Sequence, residues 1–345
     1  MNTEFTPEEK KNFDDALFIN RSVYGEDIDQ NVYENKHYGN PYRLSKPFSI
    51  SYEDGEPAGL SGFLGMRIVI DGKVYPAAQS MDVAVLKKFQ GRGHFSKVMN
   101  QFEDSDNDCR VVFGLPNDMS FPRVVSIGYT SPLWFSHYLY VTAPFSFALG
   151  KNAFAKALDR IYQLFLSLKT AKLQGDSMLT LHDGMDNIPV TDEEVEVLYQ
   201  DSACHFLHDQ KIYKWKQSYN PDMQFHWAVL RKKDGTLLGY ALCHLRPRMK
   251  GNFVIIDDYA AIGSSEEKKA TLKQLFSSLK ELGNILEVPF VNVSADGKLL
   301  HSLHFANGRK FPFKLRGCPL VLSPSCKYVE KMLGCNFRNI DSDVI

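Results

Sequence analysis

The spacing of apolar residues changes along the chain, and each change marks an element. Phe13 and Leu17 lie on one face of a segment that opens on Thr6-Pro7-Glu8-Glu9. Thr6 can cap a helix there, Pro7 suits the first helical position and Glu9 completes a capping box. A polar, tyrosine-rich stretch over residues 24–42 follows. Residues 48–52, 58–70, 73–78 and 80–86 read as strands, with Asp54-Gly55 and Asp71-Gly72 as hairpin turns. Phe95, Val98, Met99 and Phe102 then return to helical spacing. Residues 133–141 form an aromatic-rich strand pattern, and Phe154, Leu158, Ile161, Phe165 and Leu168 a helical one. Thr191, Asp192 and Glu193 open another helix. In the second half, strands at 225–230 and 237–245 flank Asp234-Gly235, followed by a strand at 253–261, a helix at 266–282 and a strand at 290–293. The pattern predicts an α/β (α+β) protein whose mixed, mostly antiparallel sheets are flanked by helices, with its second half repeating the order of the first.

Composition narrows this picture. At 345 residues the chain is long for one core, and 44% hydrophobic residues support a real interior. A formal net charge of -1 gives no whole-chain case for nucleic acid or an anionic membrane. The N-terminal residues lack a basic segment followed by an apolar core, and no run approaches eighteen apolar residues. Cys109, Cys204, Cys243, Cys318, Cys326 and Cys335 form no CxxC pair and read as reduced thiols, so a cytoplasmic location is expected.

The richest chemistry lies in residues 81–99, MDVAVLKKFQGRGHFSKVM: a short strand, a basic glycine turn, then a helix start. N–H groups at a helix start favour an anion, and Gly91 and Gly93 let the main chain come close. The string lacks the GxxxxGK of a P-loop. It also lacks the third glycine of a Rossmann turn and that motif's later ribose-binding acid. It resembles the coenzyme A turn of the GNAT superfamily of acyl-CoA N-acyltransferases: Arg or Gln, two residues, Gly, one residue, Gly or Ala. Gln90 and Gly93 match that turn, and Phe95 departs from its last position. Residues 110–129, RVVFGLPNDMSFPRVVSIGY, resemble the family's next motif: a strand, Pro116-Asn117, a helix and a Gly-aromatic end. The likeness spans about residues 48–141 and points to a tandem-lobed branch.

The resemblance implies an N-terminal lobe (1–150) with an acetyl-CoA site, a helical connector (151–210) and a degenerate C-terminal lobe (211–345). It assigns pyrophosphate binding to the main chain of Gln90, Gly91, Arg92, Gly93, His94 and Phe95, with charge from Lys87, Lys88 or Arg92. Their plain alternative is an exposed basic turn. Val83, Ala84 and Val85 would pair with pantetheine through their backbone, one amide polarising the thioester carbonyl. Asn117 would bond the pantetheine arm or simply make a Pro-Asn turn. The tyrosine acid common in the family is replaced by Val124. Tyr129 is the nearest alternative, or else a packing aromatic. Asp82 is the candidate base, or else a polar sheet residue. Cys204, His205, His208, His301 and His304 form no complete metal set, and no metal is expected.

The second lobe reads Ile262-Gly263-Ser264-Ser265-Glu266-Glu267 where its own coenzyme A turn would stand, and two carboxylates there oppose a pyrophosphate. It would wall the acceptor site or form a homodimer surface. Tyr213-Lys214-Trp215-Lys216 resembles a segment that precedes C-terminal lobes in tandem GNAT and FemAB-like proteins. The expected reaction moves an acetyl group to a primary amine of a small polar acceptor, an amino sugar or aminoglycoside-like compound. A non-catalytic acyl-CoA-binding scaffold and a FemAB-like aminoacyl transferase are the alternatives.

Overall fold

The computed structural model describes residues 5–25, 27–103, 108–149, 152–167, 176–248, 251–311, 315 and 317–342. The N-terminal half runs α1 (Pro7–Tyr24), α2 (Gln30–His37), β1 (Phe48–Glu53), β2 (Glu56–Ile70), β3 (Lys73–Val85), α3 (His94–Glu103), β4 (Val111–Gly114), α4 (Phe121–Ser126) and β5 (Thr130–Val141). α5 (Pro144–Leu149), α6 (Ala153–Ser167), β6 (Ser177–Asp183), α7 (Asp192–Tyr199) and β7 (Cys204–Phe206) follow. The C-terminal half runs α8 (Gln210–Ser218), β8 (Phe225–Lys232), β9 (Leu237–Arg248), β10 (Gly251–Ala261), α9 (Ser265–Leu279), β11 (Ile285–Asn292), α10 (Lys298–Ser302), β12 (Ala306–Asn307), β13 (Cys318–Leu322) and α11 (Val329–Leu333).

Local chemistry explains the element ends. Thr6 and Glu9 form the expected capping box on α1, and Thr191 and Glu194 form another on α7. Asp54 and Asp71 take positive φ of 50° and 49° ahead of Gly55 and Gly72, as two-residue hairpins require. The two segments read as separate strands at 73–78 and 80–86 are one strand, β3, because the chain passes residue 79 without a break.

The strands make one sheet in the order β1-β2-β3-β4-β13-β5-β11-β10-β9-β8-β6, with β7 pairing β2 and β12 pairing β5. The β3–β4 and β10–β11 pairs are parallel and the other named pairs antiparallel. The halves repeat: β1-β2-β3-α3-β4 in one, β8-β9-β10-α9-β11 in the other. They also exchange strands. β5, from the first half, pairs β11, while β13, from the second, pairs both β4 and β5. Residues 151–210, expected to be a helical connector, also carry strands: β6 extends the C-terminal sheet and β7 the N-terminal one. Only long-range pairing assigns such strands, so the local pattern does not reveal them.

Phe337 lies at the crossing. It is buried against Phe113, Phe135, Phe206 and Phe290, with ring centroids 4.7–6.1 Å away. The segment after it is anchored by charge. His208 lies 3.0 Å from Asp258 and 2.6 Å from Asp341, and all three are buried. Asp258 also accepts hydrogen bonds from Tyr199, Tyr213 and Tyr240. Lys216 Nζ donates to the Ser342 carbonyl at 2.6 Å. Burial alone would push the His208 imidazolium down, but Asp258 and Asp341 hold it up at about 10.

Interlocked halves should unfold together. Denaturant unfolding followed by tryptophan fluorescence and circular dichroism is expected to give one coincident transition, and Phe337→Ala to lower stability by about 3–5 kcal/mol. Two separated transitions would contradict the interlock. The raised His208 pKa adds stability that is complete below its unfolded value, about 6.5, and lost as pH rises through about 10. The stability difference between wild type and His208→Gln is therefore expected to shrink across that window. A difference constant with pH would count against the ion pairs.

Candidate active site

β3 and β4 run side by side from Ala77 opposite Val111 to Ser80 opposite Gly114, where their pairing ends. Asp82 then takes φ of 49° at a bulge that shifts the β2–β3 register. Bulges bend and re-aim a strand. Beyond this point lies a cavity of 310 Å³. Ser80–Val83 form one wall and Gly114–Asn117 the other. Phe95 and Met99 come from α3, Val124 and Tyr129 from α4 and the residues after it, Tyr24 from the end of α1, and Val321 from the exchanged strand β13.

The turn before α3 has the backbone its sequence demands. Gly91 and Gly93 adopt φ of 81° and 83°, and a Cβ at either would meet nothing within 4 Å. Glycine is needed there for left-handed backbone, and the space above the turn is open. α3 starts at His94, so the first N–H groups of its opening turn have no intrahelical partner. Two of the basic side chains are already paired. Arg92 pairs with Glu53 and Lys88 with Glu56. His94 is buried, its Nε2 2.7 Å from Glu53 and its Nδ1 3.0 Å from Ser51 Oγ. Gln90 Nε2 donates to the Val85 carbonyl. The attraction of this turn for an anion therefore rests on its main chain and on the α3 dipole, with Lys87 exposed beside them.

The remaining sequence candidates fall around the cavity in different ways. Val83 and Phe95 line it. Ala84 is buried, and Val85 packs half-buried, against the α1 core. Asn117 lines the cavity, while its Oδ1 accepts the Met119 and Ser120 amides and so caps the turn into α4. Asp82 lines the cavity but is not a free base. Lys36 Nζ donates to it at 3.1 Å, and His37 Nε2 stands 3.5 Å away. Burial pushes the carboxyl up, yet Lys36 and His37 outweigh this and hold it at about 2. Burial keeps His37 itself down at about 4, neutral near pH 7.

Tyr129 is buried, and its hydroxyl donates to Glu103 at 3.1 Å. Burial and the Glu103 charge push its pKa well up. Sequence reasoning did not single out Tyr24, although it begins the tyrosine-rich stretch. Its hydroxyl donates to the Val83 carbonyl at 2.9 Å, across 59 residues of chain. Burial and the nearby Asp82 carboxylate raise its pKa. Helical periodicity gives no sign of this contact, because Tyr24 is 59% exposed at the end of α1.

Residues 4–129 match the sequence profile of the GNAT acetyltransferase domain. The chain carries a GNAT domain. That domain is of an acyltransferase type, and the described helices and large mixed sheet of the chain have the GNAT architecture. A search of curated protein sequences finds no match. Among solved structures, a GCN5-related N-acetyltransferase from Anabaena variabilis is similar in fold, with a TM-score of 0.64 at 13% identity. That likeness covers 92% of this chain and 71% of the other. A probable N-acyltransferase from Enterococcus faecalis has a TM-score of 0.60 at 12% identity, over 93% and 72% of the two chains. The N-myristoyltransferase of Saccharomyces cerevisiae, solved with bound myristoyl-CoA and inhibitors, has a TM-score of 0.53 at 11% identity, over 93% and 79%. These likenesses extend the shared fold across both halves of the GNAT chain.

Lys36 sets the charge state of Asp82. In Lys36→Met the compensating ammonium is gone while the burial remains, so the Asp82 pKa is expected to rise above the ordinary carboxylate value of about 3.9. Carboxyl carbon NMR across an acid titration measures this directly. An Asp82 resonance that still titrates near its wild-type pH would refute the assignment.

Proposed function

We propose that this GNAT chain transfers an acetyl group from acetyl-CoA to a primary amine of a small polar acceptor, such as an amino sugar or aminoglycoside-like compound. One observation carries the reading: the cavity between the parted strands β3 and β4 reaches Phe95, in the first turn of α3. A single cleft thus joins a strand edge suited to the amides of pantetheine with a helix start suited to the pyrophosphate. In this reading Gln90, Gly91, Arg92, Gly93, His94 and Phe95 bind through their main chain, Val83, Ala84 and Val85 through the strand edge, and Asn117 through its side-chain amide. The short acyl group is supported by the size of the cleft, a space of only 310 Å³ lined by Ser80, Gly114, Met99 and Val321 among others.

The acyl step breaks the thioester C–S bond and forms an amide C–N bond. The amine loses a proton, and the leaving thiolate takes one up. A carboxylate held near 2 is a poor general base at neutral pH, so Asp82 serves better as an acceptor that orients the incoming amine. The proton for the thiolate comes from a tyrosine. Tyr24 suits this better than Tyr129: it lines the cavity and its hydroxyl rests on a neutral carbonyl, whereas Tyr129 is buried with its hydroxyl on the Glu103 carboxylate. Six free thiols support a reducing, cytoplasmic setting, and no described helix is long and apolar enough to cross a membrane.

Thiol release from acetyl-CoA, measured with a panel of primary amines, tests the reaction. Release that depends on an amine is expected, and release with no member of the panel would refute the acceptor class. Tyr24→Phe is expected to lower kcat by about 10²-fold while changing the KM for acetyl-CoA less than about threefold. A Tyr24→Phe enzyme with unchanged kcat would remove Tyr24 from the mechanism.

A further inference from the structure

The internal repeat creates a second cleft. β10 and β11 run parallel from Phe253 opposite Ile285 to Ile255 opposite Glu287, and their pairing then ends, as that of β3 and β4 does. Between β10, α9 and the segment after β11 lies a cavity of 480 Å³, larger than its N-terminal counterpart. It does not suit coenzyme A. Ser264 and Glu267 form a capping box that places a carboxylate at the start of α9. The strand edge is also occupied: Arg338 Nε donates to the Tyr259 carbonyl, and its guanidinium stacks 4.0 Å over the Tyr259 ring.

The rest of the lining favours an anion. Lys268 and Lys269 reach the cavity from α9 and Lys298 from α10, with Arg338 at its buried side. The opposing carboxylates in the lining are Glu266 and Asp296, with Glu267 next to them in the capping box, and Asp296 is already paired with Arg338 at 2.6 Å. Among the described residues, Lys268 pairs with the exposed Asp201, at 3.7 Å. Lys269 and Lys298 have no ion-pair partner among the described residues. Ammonium groups that line one cleft without carboxylate partners give it a positive potential, which attracts an anion. Leu272 and Leu299 add apolar surface beside the charges.

We propose that the C-terminal lobe is a second ligand site. It takes a small organic anion, a phosphate monoester or a polycarboxylate, held by Lys268, Lys269 and Lys298. The assignment is independent of the acyl-transfer reading.

Amide NMR on the full chain tests it, using ribose 5-phosphate, citrate and neutral ribose as probes. Saturable shifts at Ala261, Lys269 and Leu299 are expected with at least one of the two anions and not with ribose. A response to ribose 5-phosphate alone assigns the site to phosphate monoesters, and a response to citrate alone to polycarboxylates. The Lys269→Met/Lys298→Met double variant is expected to bind at least about tenfold more weakly with the remaining spectrum unchanged. Lys269→Gln alone gives a milder second test, with a smaller loss expected. No saturable shift with either anion overturns the proposal. So does equal binding of ribose, or undiminished binding in the variants.

Discussion

β13 crosses from the C-terminal half into the N-terminal sheet and hydrogen-bonds both β4 and β5. Without it, the short strand β4 would expose an open edge, with unpaired backbone groups beside an apolar core. β5 does the same service for β11 in the other direction. Neither half can complete its sheet from its own sequence, so the sheet closes only when both halves are folded. The residues around the crossing fit this constraint. Phe337 fills the space between Phe113, Phe135, Phe206 and Phe290, rings drawn from both halves. Ile340 shares a core cluster with Leu64 and Met81 from one half and Tyr213, Trp227 and Tyr240 from the other.

The same exchange shapes the N-terminal cleft. Val321 of β13 lines it, and Ser323 and Ser325, just beyond, donate to the Glu103 carboxylate that also holds Tyr129. The C-terminal segment continues through Arg338, Asn339 and Asp341, bound to Asp296, Asp257 and His208. Buried ion pairs are costly unless each charge is satisfied. Here Asp258 alone gathers three tyrosine hydroxyls and an imidazolium. That degree of satisfaction fixes one path for the chain end and, through β13, one position for Val321 in the cleft.

Local chemistry made much of this legible. The Thr6 capping box, the Asp-Gly hairpins and the left-handed glycines of the turn each depend on a few neighbouring residues, and each stands where the sequence put it. The element order of both halves follows from periodicity for the same reason. What stayed hidden depends on distant pairing. An aromatic-rich strand pattern at β5 says nothing about which sheet will take it. The hydrogen bond from Tyr24 to Val83 and the ion pair of Lys36 with Asp82 span 59 and 46 residues. Lys88, Arg92 and His94 looked available to a ligand, since the sequence does not show that Glu53 and Glu56 lie across the hairpin from them.

The two clefts show how little separates a nucleotide-ready fold from one adapted to something else. Both come from a parallel strand pair that parts beside a helix start, so topology alone does not choose the ligand. The choice falls to a few residues at that helix. In the N-terminal half, Gly91 and Gly93 leave open space above the turn, and Glu53 pairs with Arg92 and His94 beside it. In the C-terminal half, Glu267 satisfies the start of α9 and Arg338 takes the strand edge, while lysines gather at the rim. A pyrophosphate needs unpaired main-chain donors at the helix start. The capping box of α9 takes the Ser264 and Glu267 amides and sets a carboxylate beside the remaining ones, whereas the turn before α3 has left-handed glycines in open space.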